Sequence, residues 1–141
     1  MQQQRTILLA EPDSGLRETW RAGLAAMGFQ VLESAEGAAA LRIALHAEVN
    51  LLITELYLPT GGERCLVRAT RREQGLRRVK ILAVSTHGGA DDREWALGAG
   101  ADAWLVKPVR LGTMLQISAR LATSRQHSRA ELRAAGAEAT Q

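Results

Sequence analysis

Five short apolar runs recur along this chain, each closed by a polar residue and followed by a stretch of helical periodicity. They are Ile7–Ala10, Phe29–Leu32, Leu51–Thr54, Ile81–Val84 and Ala103–Val106. Continuous rather than alternating apolar character is the mark of strands covered on both faces, as in parallel sheets. The segments between them repeat apolar residues every three or four positions. The first, Ser14–Met27, carries Leu16, Trp20, Leu24 and Met27 and is stopped by Gly28. A second spans Gly37–Ala47, with Leu41, Ala44 and Leu45 on one face. A basic helix over Glu63–Glu73 follows the loop Pro59-Thr60-Gly61-Gly62. Asp91 and Glu94 have capping-box spacing, which starts a fourth helix that Gly98 or Gly100 ends. Leu111, Leu115, Ile117 and Leu121 describe the last. Such alternation predicts an α/β protein: a doubly wound, five-stranded parallel sheet with helices on both faces.

With 141 residues, 46% of them hydrophobic, the chain can bury one real core. Residues 1–124 are expected to form that domain. Residues 125–141, where apolar content falls to Leu132 and alanines, are expected to be a polar tail, partly helical or disordered. No apolar run approaches the roughly 18 residues of a membrane span. Met1-Gln2-Gln3-Gln4-Arg5 lacks a secretory cleavage pattern, so a cytoplasmic protein is expected. The single cysteine, Cys65, has no disulfide partner and is expected to face the core as a small hydrophobe. His46, His87 and His127 are scattered and read as surface residues.

Charge is distributed unevenly. Residues 1–66 hold 5 basic and 8 acidic side chains (net −3), whereas residues 67–141 hold 13 and 7 (net +6). Arg68, Arg71, Arg72, Arg77, Arg78 and Lys80 make one basic stretch, opposed only by Glu73. No aromatic interleaves these arginines, as single-strand binding favours, and no zinc-finger or basic-zipper spacing occurs. The stretch is therefore read as a solvated helix face, and no nucleic-acid partner is expected.

In doubly wound sheets the working site lies at the carboxyl ends of the strands. Here Glu11, Glu55, Ser85 and Lys107 end the first, third, fourth and fifth strands. Nothing resembles a Ser-His-Asp constellation or a glycine-rich nucleotide loop, and the chain is not expected to be an enzyme.

Four segments carry a specific resemblance. Ile7-Leu8-Leu9-Ala10-Glu11-Pro12-Asp13 resembles the acidic first-strand end of response-regulator receiver domains. Leu51 to Pro59, with Glu55 at its centre, resembles their phosphoacceptor strand and loop. Ala83-Val84-Ser85-Thr86 matches the hydroxyl-bearing fourth strand, and Gly98 through Pro108 the fifth-strand signature. The similarity covers about residues 5–123, in the family's order, and implies the flavodoxin-like receiver fold of two-component phosphorelay signalling.

In that family an aspartate ending the third strand accepts a phosphoryl group from a histidine kinase. Mg²⁺ is held by two acids after the first strand, by the phosphoacceptor and by a backbone carbonyl two residues beyond. A lysine before proline and a Ser or Thr hydroxyl bind the phosphoryl oxygens, and an aromatic in the fifth strand changes rotamer. Carried over, the resemblance gives Glu55 the phosphoacceptor position and places Glu11, Pro12, Asp13, Ser85 and Lys107 around it. Ser85 and Trp104 are the switch equivalents, and Glu11, Glu55 and Tyr57 mark a metal site.

Three departures matter. Glu55 replaces the aspartate, and its extra methylene displaces the carboxylate by ~1.5 Å, an error that can cost ~10²-fold in rate. Pro12 replaces the second acid, which weakens or removes Mg²⁺ binding, so no cofactor is expected. Trp104 stands where Tyr or Phe is common. The leading expectation is a receiver-like interaction module that works without phosphoryl transfer; the alternative is a functional Mg²⁺-dependent phosphoacceptor with an altered site. Lys107 is expected to pair with Glu55, and Asp13 to cap the first helix. Ser85 is either a relic of the switch or a strand-end hydroxyl. Glu55 is either a built-in anion or a lost function. Trp104 is expected toward the surface, beside Leu111, as an anchor for a protein partner or for a second copy on the face of the fourth helix, fifth strand and fifth helix.

Overall fold

The computed structural model describes residues 4–58, 65–86 and 88–124. The Pro59–Gly62 loop, Glu63, His87, His127 and the tail from 125 therefore lie outside the described residues. Five parallel strands, β1 (Thr6–Ala10), β2 (Gln30–Ser34), β3 (Leu51–Glu55), β4 (Lys80–Ser85) and β5 (Ala103–Val106), form one sheet. Its order is β2-β1-β3-β4-β5, so the direction of winding reverses between β1 and β3. The connecting helices are α1 (Ser14–Ala26), α2 (Gly37–His46), α3 (Leu66–Arg72), α4 (Ala90–Ala99) and α5 (Leu111–Thr123). The doubly wound architecture read from the apolar runs is the one observed.

Two cores follow from the two sheet faces. Side chains alternate along each strand, so Leu8, Leu52, Ile81 and Trp104 pack against α2, α3 and α4. Ile7, Leu9, Ile53 and Leu105 face the opposite way, against Trp20 and Leu24 of α1 and Met114, Ile117 and Leu121 of α5. Cys65 packs half-buried against the first of these cores. Met27 and Leu45, assigned from spacing to apolar faces, are exposed. On α2 the buried positions are Gly37, Ala40 and Ala44, small residues that let the helix lie close to the sheet.

Three expectations need correction. The second strand runs Gln30–Ser34 instead of Phe29–Leu32, because Phe29 N–H still bonds Leu24 O at the helix exit. As an edge strand, β2 takes its length from pairing with Thr6–Ala10 and not from an apolar run. Helix α4 does start near Asp91 and stop at Gly100, but the capping box is not made: Gly89 is the N-cap and no side chain caps it. The basic stretch, finally, is not a uniform solvated face.

Arg71 turns inward. Its Nε donates to Gly100 O at 2.9 Å, Nη1 to Val79 O at 2.8 Å and Nη2 to Asp102 Oδ2 at 3.0 Å. The same carboxylate oxygen accepts Ile81 N–H at 2.8 Å. Gly100 ends α4 at φ +118°, and a Cβ there would meet Arg71 Cγ at 2.5 Å, so conformation and space both require glycine. The side chains of Arg71 and Asp102 are 10% and 1% exposed. Removing one partner of such a pair leaves the other charged and dry. Asp102→Ala should therefore lose about 3 kcal/mol of stability in urea unfolding, and an unchanged midpoint would refute this role.

Candidate functional site

Because the strands are parallel, the residues that end them collect at one edge of the sheet. Glu11 follows β1, Glu55 and Ser85 are the last residues of β3 and β4, and Lys107 follows β5. Lys107 is set in place by its own backbone, whose N–H donates to Ser85 O at 2.8 Å. From there the Nζ reaches both acids, lying 2.5 Å from Glu11 Oε1 and 2.8 Å from Glu55 Oε2. The expected Glu55–Lys107 pair is present, with Glu11 as a third member.

The remaining carboxylate oxygens are also engaged. Glu11 Oε2 accepts Asp13 N–H at 2.9 Å, and Glu55 Oε1 accepts the Thr86 hydroxyl at 2.8 Å. Glu11 is fully buried and Glu55 nearly so. Two carboxylates share one ammonium, so the cluster carries a net negative charge when all three groups are ionised. Arg17 adds a neighbouring cation: it donates from Nη1 to Glu11 O at 2.7 Å and holds Glu33 through Nε at 3.1 Å.

Other named positions are used differently. Pro12 is half-buried and carries no carboxylate. Asp13 caps α1, its Oδ1 accepting Leu16 N–H at 2.9 Å, as its position before the helix predicts. Tyr57 is 50% exposed, and its ring lies against Trp95 with centroids 5.4 Å apart. Ser85 is buried, and its Oγ accepts the Trp104 indole N–H at 3.1 Å. Thr86, one residue beyond the end of β4, supplies the hydroxyl on Glu55. Ser85 ends β4, and the two adjacent hydroxyls serve different neighbours, the Trp104 indole and the Glu55 carboxylate.

Trp104 corrects the sequence reading. It is only 8% exposed and belongs to the core on the α2–α3–α4 side. Its register partner on β4 is Ala83, whose small side chain leaves room for an indole, and Ser85 satisfies the N–H. Leu111 is exposed but lies toward α1, where a Cβ on Gly23 would meet its Cδ1 at 3.4 Å. Trp104 and Leu111 thus sit on opposite faces of the sheet and cannot form one anchor.

A sequence model described as the response regulator receiver domain matches residues 7–119. The chain belongs to this family of receiver domains. The transcriptional regulatory protein PrrA of Mycobacterium tuberculosis is 31% identical over 109 residues, 77% of this chain and 46% of that protein. The chain thus spans about half the length of such relatives. Chemotaxis protein CheY1 of Helicobacter pylori is 28% identical over 104 residues, covering 72% of this chain and 84% of that one. Among solved structures, the chemotaxis protein CheY4 of Vibrio cholerae superposes with a TM-score of 0.75 at 26% identity, covering 84% and 99% of the two chains. The receiver domain of the sensor histidine kinase PA1611 of Pseudomonas aeruginosa, solved with a magnesium ion coordinated in its active-site cleft, gives 0.76 at 27% identity, covering 86% and 100%. Among the described residues of this receiver domain, no helix is long and apolar enough to cross a membrane.

The Lys107 cluster makes stability depend on pH. Burial disfavours its ammonium, but the bonds to Glu11 and Glu55 and their charges outweigh this and hold its pKa above the ordinary 10.5. A folded-state value above the unfolded one stabilises the protein fully below the unfolded pKa, and that stabilisation is lost as pH rises through the folded one. Unfolding midpoints should therefore fall at alkaline pH above about 10.5. Lys107→Met should be less stable by about 3 kcal/mol at neutral pH and lack this part of the alkaline loss. Parallel alkaline curves for the two proteins would contradict the assignment. Trp104→Ala should cost about 3 kcal/mol or more by thermal or urea unfolding, as core truncations do.

Proposed function

We propose that this receiver domain acts in two-component signalling as a protein-interaction module, without taking up a phosphoryl group. The observation that carries this reading is the clamp of one ammonium on both acids. Glu55 stands at the phosphoacceptor position, and its two oxygens are held by Lys107 and Thr86. In the family a lysine and a hydroxyl meet the oxygens of an added phosphoryl group; here the same two kinds of donor meet an anion that the chain already contains. This supports the built-in anion over a simple loss of function.

The donor set does not fit Mg²⁺. The magnesium ion in the PA1611 receiver lies in its active-site cleft, but here Pro12 contributes no carboxylate and Asp13 is turned to the helix cap. Glu11 and Glu55 are left, and both face the Lys107 ammonium. Among the described residues no group of three or more His, Cys, Asp or Glu side chains is placed to hold a metal ion. Mg²⁺ demands near-octahedral oxygen coordination and tolerates a depleted ligand set poorly.

Receiver domains interact with sensor kinases and other proteins. On this reading the contact itself is the output, and a kinase is not required as phosphoryl donor. Incubation with acetyl phosphate and Mg²⁺, followed by intact-mass spectrometry, should give no phosphoprotein. Glu55→Asp alone should restore little, because Pro12 remains, whereas Pro12→Asp combined with Glu55→Asp should restore more. A gain of one phosphoryl group that depends on residue 55 of the unaltered chain would overturn the proposal and favour the phosphoacceptor reading.

A further inference from the structure

The chain has five aromatic residues: three Trp, one Tyr and one Phe. Trp20 and Trp104 are core, and Phe29 packs against the α1–α5 side. The remaining two, Tyr57 and Trp95, meet each other at the surface, tilted by 37°. The Arg68 guanidinium carbon lies 5.4 Å from the centre of the Trp95 ring. Tyr57 and Arg68 are exposed and Trp95 is half-buried. Trp, Tyr and Arg are the residue types that dominate binding hot spots, because each offers a rigid apolar surface with a polar edge. A chain so poor in aromatics places two of them on one patch of solvent-facing surface.

This patch borders a cleft of about 550 Å³ between α3 and α4, lined by Arg68, Asp91, Glu94, Trp95, Gly98 and Ala99. A Cβ on Gly98 would meet nothing within 4 Å, so the floor is open to an incoming side chain. Around the cleft the charges are divided by helix, since Arg93, also exposed on α4, is not among the residues that line it. Arg68 and Arg72 stand exposed on α3, one turn apart, and Asp91 and Glu94 stand exposed on α4. None of the four is in an ion pair among the described residues.

A partner of one sign would be attracted by one helix and repelled by the other. A surface carrying positive charge on one side of an aromatic centre and negative charge on the other complements itself. Helices α3 and α4 each follow a strand of the same parallel sheet and pack on the same face, so they run in the same direction. A two-fold axis laid along the cleft therefore sets α3 of one copy over α4 of the other. Arg68 then faces Glu94, and the same pair repeats with the roles exchanged, as an isologous contact requires. We infer that the α3–α4 face, centred on Tyr57 and Trp95, docks a second copy of this chain. This replaces the self-association face built on Trp104, which the buried indole removes. Neither Glu55 nor Lys107 takes part, so the inference stands or falls separately from the proposed function.

The test is sedimentation velocity of the full chain across a micromolar to sub-millimolar concentration series, without any phosphoryl donor. The unaltered protein should show a concentration-dependent dimer. Arg68→Glu and Glu94→Arg should each raise the dimer Kd on the order of tenfold or more, since each brings two like-charge pairs together. Both positions are exposed, so the circular dichroism of the variants should match that of the parent at a concentration where the parent is monomeric. An equimolar mixture of the two variants should recover dimer, because in that heterodimer one contact is reversed and the other is native, and both are complementary. The double variant Arg68→Glu/Glu94→Arg should dimerise for the same reason. A monomer at all concentrations, a dimer indifferent to both substitutions, or a mixture that fails to recover would each overturn the inference.

Discussion

Glu11 and Glu55 lie almost out of water at the end of an apolar sheet, and two carboxyl groups are accommodated there because the Lys107 ammonium stands between them. Isolated, each would carry a desolvation penalty of several kcal/mol. Together the three tie the ends of β1, β3 and β5 to a common point, and the Lys107 backbone ties in β4 through Ser85. The winding reversal between β1 and β3 makes this geometry available, because it sets the two acid-bearing strands side by side.

The opposite end of the sheet is closed by a second charged device of different design. Arg71 reaches across from α3 to the carbonyls of Gly100 and Val79 and to the Asp102 carboxylate. This joins α3, the end of α4 and the starts of β4 and β5 by hydrogen bonds that solvent barely reaches. A lysine could carry the same charge but not the same connections, since its three donors leave from one point while the guanidinium presents a planar fork.

What the sequence made legible follows from burial. Strands β1, β3, β4 and β5 announce themselves because each is covered on both faces and must be apolar throughout. The site was legible for the same reason: a polar residue ending such a run stands out, and parallel strands gather these residues together. The edge strand β2 is shifted from its apolar run because one-sided pairing, not hydrophobicity, sets its limits. The size of Trp104 argues for the surface, but the room for it comes from Ala83 on the neighbouring strand, and Ser85 Oγ accepts its indole N–H. Those are relations between segments about twenty residues apart that no local pattern records. The inward turn of Arg71 was hidden likewise, since nothing in a run of arginines distinguishes the one that meets a carboxylate 31 residues later.

The side chain of Glu55 has one further consequence. A phosphorylated aspartate is transient, and the hydrolysis of its acyl phosphate gives an ordinary receiver a clock. A carboxylate written into the chain has no leaving group and no such lifetime. On the proposed reading, whatever message passes through this pocket begins when the protein is made and ends when it is removed. Timing then belongs to expression and turnover, and amplitude to concentration.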